Sequence, residues 1–145
     1  MLLLDTNVLV YAHDSSSKRN RKALRLVREA LRGELEAAIS YQSIMELYSV
    51  LTNPTKLERP YEAREAALLC SLYAGSKNLA KLLPSGRAYA ESINLAGDLG
   101  LVGTQIFDCL LATTAKENGI KEIYTENVTD FRSFEFMKAV NPFMG

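Results

Sequence analysis

LLLDTNVLVYA, residues 2–12, is the stretch that decides the fold. Its first three residues form an unbroken apolar run, which is typical of a strand buried on both faces of a sheet. The run ends at Asp5, and a helical pattern begins at Thr6. In an open α/β sheet, ligands bind at the carboxyl ends of the strands. Asp5 is therefore either the cap of the following helix or a residue of a functional site.

The rest of the chain alternates short apolar runs with longer helical patterns. The apolar runs predict further strands at 37–39, 80–83, 121–125 and, at the edge of the sheet, 138–140. The helical patterns cover 20–32, 40–53, 61–73, 84–99 and 104–118, and a turn or short helix is expected at 130–136. This alternation predicts an α/β fold with a mostly parallel sheet of four to five strands, covered by helices on both sides. We expect one domain, residues 1–145.

Composition indicates a globular protein, with 48% hydrophobic and 23% charged residues in a chain of 145. Seventeen basic residues balance seventeen acidic ones, so only the distribution of charge can indicate a nucleic-acid partner. Cys70 and Cys109 lack the spacing of a metal site, which favours buried, reduced thiols and a cytoplasmic location. The apolar start is too short for a signal peptide or a membrane anchor, and we expect no membrane association.

One helix concentrates positive charge. Arg21, Arg25, Arg28 and Arg32 recur at helical spacing beside an apolar stripe, and Lys18, Arg19 and Lys22 lie close to them. A solvated helix face and a surface that contacts phosphates both explain this pattern.

Four acidic residues are predicted to lie in apolar surroundings. Asp5 ends the first strand, Glu46 is expected to face inward from its helix, Asp108 interrupts the most apolar helix, and Asp130 follows the fourth strand. Acidic side chains are rarely buried unless they are paired or bind a metal. No Lys or Arg lies within a few residues of Asp5 or Asp108. A divalent cation is therefore expected to neutralise this cluster.

The ligand types indicate which cation this is. Carboxylate oxygens without His or Cys favour Mg²⁺, with Mn²⁺ as a substitute, over Zn²⁺. Such an ion activates a bound water and stabilises charge on a phosphodiester oxygen. The residues therefore indicate metal-assisted phosphodiester hydrolysis.

The sequence resembles the PIN-domain ribonucleases, and in particular the toxins of VapBC-type toxin-antitoxin pairs. The resemblance rests on LLLDTNVLVYA at Asp5, SYQSIMELYSVL at Glu46, GTQIFDCLLATTA at Asp108 and YTENVTDF at Asp130, and it covers nearly the whole chain. It implies a three-layer α/β/α sandwich, an acidic Mg²⁺ site and endoribonuclease activity on single-stranded RNA. It also implies a homodimer and a cognate antitoxin protein.

The resemblance assigns roles to the four acids. Asp5 and Asp108 become direct metal ligands, and Glu46 helps to hold the metal or its waters. Asp130 takes the place of the last acid in the pattern T-x-[DN]-x-x-[DE]-F. On this interpretation, capping of the first helix is left to Thr6 and Asn7.

Three polar residues are expected to support the acids. Thr6 and Thr125 offer hydroxyl groups to the site, and Asn127 stands at a position that is often Asp in the family. This departure predicts one firmly held ion, with a second bound only with the help of RNA phosphate. Strand alternation predicts that the neighbouring Glu126 points away from the acids.

Two other functions fit the sequence alone. One is a PIN-like nuclease of RNA processing or DNA repair that has no antitoxin. The other is an inactive scaffold that binds RNA or protein, which Asn127 would favour. In the nuclease interpretation, the arginines at 21, 25, 28 and 32 contact either the RNA backbone or an acidic segment of the antitoxin.

Overall fold

Five parallel strands form a single sheet in the order β3-β2-β1-β4-β5 in the computed structural model, which describes residues 1–144. The strands are β1 (Leu2–Leu4), β2 (Ala37–Ser40), β3 (Leu79–Leu82), β4 (Glu122–Tyr124) and β5 (Lys138–Val140). The predicted strands are confirmed to within two residues at each end. The sheet is parallel throughout, rather than mostly parallel. Gly145, the last residue of the predicted domain, lies outside the described residues.

Helices connect the strands. They are α1 (Thr6–Ala12), α2 (Asn20–Leu31), α3 (Tyr41–Leu51), α4 (Ala63–Gly75), α5 (Gly86–Leu99) and α6 (Gln105–Glu117). A short 3₁₀ helix, Val128–Phe131, replaces the turn or short helix expected at 130–136. Helix α4 begins two residues later than predicted because Glu62 and Glu65 form a capping box, which places the first helical residue at Ala63.

The central position of β1 explains its apolar run. This strand pairs with β2 on one side and β4 on the other. Leu2 and Leu4 pack in the core beneath helices α1 to α4, whereas Leu3 packs in the opposite core, beneath α5, α6 and the 3₁₀ helix. Successive side chains of a strand point to opposite faces, so a strand covered on both sides must be apolar at every position. The α/β/α sandwich is confirmed.

Two features bear on the predictions made from composition. Both cysteines, Cys70 and Cys109, are buried free thiols, and they lie in the two different cores. Within residues 1–144, no helix combines the length and the apolar character needed to cross a membrane.

Candidate active site

The topology brings the four predicted acids to one edge of the sheet. Asp5 directly follows β1, and Glu46 lies in the second turn of α3, which directly follows β2. Asp130 lies in the 3₁₀ helix after β4, and Asp108 lies in the first turn of α6. Because all strands are parallel, their carboxyl ends share one edge, and the segments that follow them meet there.

Asp5 is held by three donors. Its Oδ1 accepts a hydrogen bond from the backbone N–H of Thr6 at 2.8 Å, so Asp5 is the N-cap of α1. Its Oδ2 accepts one from the Thr125 hydroxyl at 2.8 Å and a longer one from the Asn7 amide at 3.4 Å. The prediction that Thr6 and Asn7 cap this helix in place of Asp5 was therefore wrong. Both are helical residues, and one carboxylate both caps α1 and faces β4.

The environment of Asp5 opposes its charge. Burial raises the pKa of its carboxyl group, the hydrogen bonds from Thr125 and Thr6 lower it, and the charge of Asp130 raises it again; the net direction is upward. A carboxyl group that is costly to ionise is stabilised by a bound cation. Asp5 therefore has the electrostatics expected of a metal ligand.

Asp108 shows that the acids interact. Burial raises the pKa of its carboxyl group to about 6, and the charges of Asp130, Asp5 and Glu46 contribute in that order. Partial burial and the charge of Asp5 also raise the pKa of Glu46. Among residues 1–144, no Lys or Arg lowers the pKa of these three acids. The structure thus brings together four acids, and within the described residues none of them forms an ion pair with a Lys or Arg.

Two of the acids are more exposed than expected. Glu46 was predicted to face inward, but it lies on the exposed side of α3. The core side of that helix is taken by Ile44, Leu47 and Leu51, and Glu46 projects away from it because successive residues turn by about 100°. Asp130 is exposed as well. Asp5 and Asp108 are half-buried, whereas Glu46 is only partly desolvated on its exposed side of the helix and Asp130 is exposed.

The supporting residues differ in what they contact. Thr125 is fully buried, and its hydroxyl donates to Asp5 while it accepts from the backbone N–H of Asn127 at 3.0 Å. The Thr6 hydroxyl instead donates to Oγ of Ser43 at 3.0 Å, which joins the first turn of α1 to the first turn of α3. The Asn127 side chain is exposed at the rim.

Asn7 is a site residue that the sequence interpretation missed. Its side-chain amide donates to Oγ1 of Thr125 at 3.1 Å and, at 3.4 Å, to Asp5, and its Oδ1 accepts from the backbone N–H of Glu126 at 3.2 Å. One amide therefore links the ends of β1 and β4. The signal was present in the run Asp5-Thr6-Asn7, because an amide in the first turn after a buried strand is placed to bond a neighbouring strand end.

Glu126 points away from the acids, as predicted. Its carboxylate accepts a hydrogen bond from the Tyr11 hydroxyl and forms an ion pair with Arg19. The Arg19 guanidinium lies 5.6 Å from the centre of the Tyr11 ring, in cation–π geometry. These contacts fix the segment after β4 from its outer side.

The donor set fits Mg²⁺ or Mn²⁺. Every polar side chain of the cluster offers oxygen, which these hard cations prefer. Within the described part of the chain, no three acidic, His or Cys side chains lie close enough to hold one ion by themselves. Mg²⁺ typically takes one or two carboxylates and completes its shell with water. Asp5 and Asp108 can supply that number.

Thr125→Val tests the bond that holds Asp5. The substitution keeps the volume but removes the only hydroxyl donor to Asp5 Oδ2 within residues 1–144, so we expect the phosphodiester cleavage that the sequence predicts to fall about 10- to 100-fold. Thr125→Ser should restore most of the rate. Thr114→Val is the matched control, since Thr114 is also buried and donates only to the carbonyl of Leu110. Equal losses in both valine variants would contradict this role for Thr125.

Known proteins share both the sequence pattern and the fold. The family model for the PIN domain matches residues 2–136. Ribonuclease VapC24 of Mycobacterium tuberculosis is 32% identical over 142 residues, which cover 98% of this chain and 97% of that protein. The M. tuberculosis toxin VapC20, described as cleaving the sarcin-ricin loop, superposes with a TM-score of 0.71 at 12% identity, covering 92% and 95% of the two chains. VapBC2 of Rickettsia felis, bound to promoter DNA, superposes with a TM-score of 0.63 at 21% identity, and the match covers 97% of each chain. The chain therefore belongs to the PIN domain family.

Proposed function

We propose that this protein is a Mg²⁺-dependent endoribonuclease. The observation that carries the proposal is the meeting of Asp5, Glu46, Asp108 and Asp130, from four separate segments, at the carboxyl edge of the sheet. Such a cluster is costly unless a cation compensates it. The 32% identity to a protein named as a ribonuclease supports RNA as the substrate.

Some residues of the cluster would bind the ion, and others keep its ligands in place. Asp5 and Asp108 would bind the ion, Glu46 would help to hold the ion or its waters, and Asp130 would be the last acid of the cluster. Thr125 and Asn7 keep the Asp5 carboxylate in one orientation. When bound, Mg²⁺ or Mn²⁺ supplies a water of lowered pKa and positive charge for the phosphodiester oxygens.

We further propose that the protein is the toxin of a type II pair. The structures of toxin-antitoxin complexes that share its fold support this assignment. Exposed apolar side chains on α3 and α4 offer a protein partner surface to bury; they are Tyr41, Met45, Tyr48, Leu68 and Leu72. A cognate antitoxin and a second copy of the chain are both expected partners.

The homodimer can be tested by light scattering. A measured mass of twice the monomer mass of 16.1 kDa would support the homodimer, and a monomer at all concentrations would refute it.

Metal removal tests the proposed activity. Antitoxin-free protein should cleave single-stranded RNA internally with Mg²⁺ or Mn²⁺, and EDTA should abolish the cleavage, because the acids alone provide no positive charge. A cognate antitoxin should suppress the cleavage at equal concentration. Labelled RNA resolved on a denaturing gel measures both effects. Cleavage that persists in EDTA would overturn the metal-dependent mechanism.

A further inference from the structure

Four arginines form a straight, exposed line along α2. Arg21, Arg25, Arg28 and Arg32 are all exposed, whereas the opposite side of the helix, with Ala23, Val27 and Ala30, is buried. Neighbours at spacings of three and four residues lie about 5–6 Å apart on a helix surface. This separation is comparable to that of successive phosphates in an extended single strand. We name these four residues the arginine line.

The charge of this region is not neutralised locally. Residues 18–32 contain seven of the 17 basic residues and a single acid, Glu29, so they carry a net charge of +6 in a chain whose net charge is zero. Within residues 1–144, only Arg25 of the arginine line has an ion-pair partner, Glu29 at 3.1 Å. The positive potential is therefore available to an external anion.

The arginine line leads away from the acidic edge of the sheet. Just before its first member, Arg19 forms an ion pair with Glu126, which follows β4 at the carboxyl edge. At its far end, the carbonyl of Leu31 accepts a hydrogen bond at 2.9 Å from Asn78, which precedes β3 at the amino edge. The eleven residue steps from Arg21 to Arg32 span about 16 Å along the helix. The line thus extends from the carboxyl edge of the sheet, where the acids lie, towards the amino edge.

A groove along this helix is lined mostly by charged residues. Its volume is about 500 Å³, and its lining includes the arginine line, Glu29, Glu34 and a single apolar side chain, Leu24. A protein segment would need apolar area to bind stably there, whereas a polyanion binds through release of its counterions. Arginine also pairs with phosphate through two parallel hydrogen bonds.

We propose that the arginine line binds the phosphate backbone of single-stranded RNA that flanks the scissile bond. The inference rests on the proposed function, since it places the cleaved phosphate at the acids and the flanking nucleotides along α2. It predicts that the protein discriminates RNA by length. Only a substrate that extends beyond the acidic edge reaches all four arginines.

Binding without cleavage tests this surface directly. Fluorescence anisotropy with the full chain in EDTA measures the affinity for a random-sequence 16-nucleotide RNA between 50 and 200 mM salt. Replacing all four arginines with Gln should reduce the slope of log K against log salt by about 3, because about 0.7 counterions are released per phosphate of a single strand. Over this salt range, the native protein should lose about 50-fold more affinity than the variant.

A control variant loses the same number of positive charges as the arginine-line variant, so the two have the same net charge. It replaces Lys56, Arg64, Lys77 and Lys121 with Gln, all of which are exposed and make no ion pair within residues 1–144. We expect its salt slope to stay close to that of the native protein. Equal changes in both variants, or no change in either, would overturn the proposal. A deca-glutamate peptide that binds the arginine line while RNA does not would overturn it in favour of an acidic protein partner.

Cleavage kinetics test the dependence on length. With Mg²⁺, the arginine-line variant should show a raised KM for the 16-nucleotide RNA, an unchanged kcat, and no change for a 4-nucleotide RNA. A loss of kcat on both substrates would overturn the flanking role. If no RNA is cleaved at all, the proposed function fails, while the binding experiment in EDTA still decides whether the arginine line binds RNA.

Discussion

Asp5→Asn is expected to leave the protein folded and to reduce RNA cleavage by more than about 100-fold, since even residues behind a metal ligand are worth about 10- to 100-fold. The amide oxygen of Asn still accepts the hydrogen bond from the N–H of Thr6, so the cap of α1 is kept. The negative charge that would hold the ion is lost. Circular dichroism and cleavage of a labelled RNA measure the two effects separately.

The matched control for Asp5→Asn is Asp98→Asn. Asp98 is an exposed acid near the end of α5, and its replacement removes the same charge from the chain. We expect cleavage by this control to equal that of the native protein, and Asp108→Asn to lose activity as Asp5→Asn does. Full cleavage by both site variants would show that the acidic edge is not the active site.

Metal-free protein is expected to become less stable as the pH rises from 5 to 7.5. The pKa of Asp108 is raised from its ordinary 3.8 to about 6, so the folded protein binds more protons than the unfolded chain between these values. Stability is therefore lost as Asp108 ionises in the folded state. Asp5 and Glu46 change in the same direction. For a partly exposed group the loss is about 1 kcal/mol, or a few degrees in Tm.

Asp108→Asn isolates this contribution. In EDTA, the variant should be more stable than the native protein at pH 7.5, and its Tm should fall less between pH 5 and 7.5. Comparison with the native protein is needed because burial lowers the pKa of His13, which opposes the trend by making stability rise with pH. Mg²⁺ should restore stability to the native protein by binding only the folded state. An identical pH dependence of Tm in both proteins would contradict the prediction.

The fold was predictable because local patterns and topology agree in this chain. The leucines of β1 pack into both cores, and an unbroken apolar run already predicts a strand that is covered on both faces of the sheet. Ser40 caps α3 because its hydroxyl oxygen accepts a hydrogen bond from the backbone N–H of Ser43, and the sequence predicts this cap. The 3₁₀ helix was less predictable, because its bounds depend on how Phe131 is buried.

The site was only partly predictable. The four acids follow from the resemblance and from the shared edge of a parallel sheet. The hydrogen bonds of Asn7 and the contact of Thr6 with Ser43 depend on side-chain directions that sequence spacing does not determine. The exposure of Glu46 was not predictable for the same reason. Successive residues of α3 turn by about 100°, so Glu46 lies at the rim although the next residue, Leu47, lies in the core. The double role of Asp5 depends on how the ends of β1 and β4 lie relative to each other, which spacing in the sequence does not determine.

The position of β1 between β2 and β4 also determines when the acidic edge can form during synthesis. The hydrogen bond from Thr125 to Asp5 joins residues 120 positions apart, and β4 must be made before β1 has both neighbours. Pairings this distant in sequence form late and slowly. A nascent chain therefore carries Asp5 from the start but cannot orient its carboxylate until nearly the whole chain has been translated. The order of strands delays the assembly of the acidic edge to the end of folding.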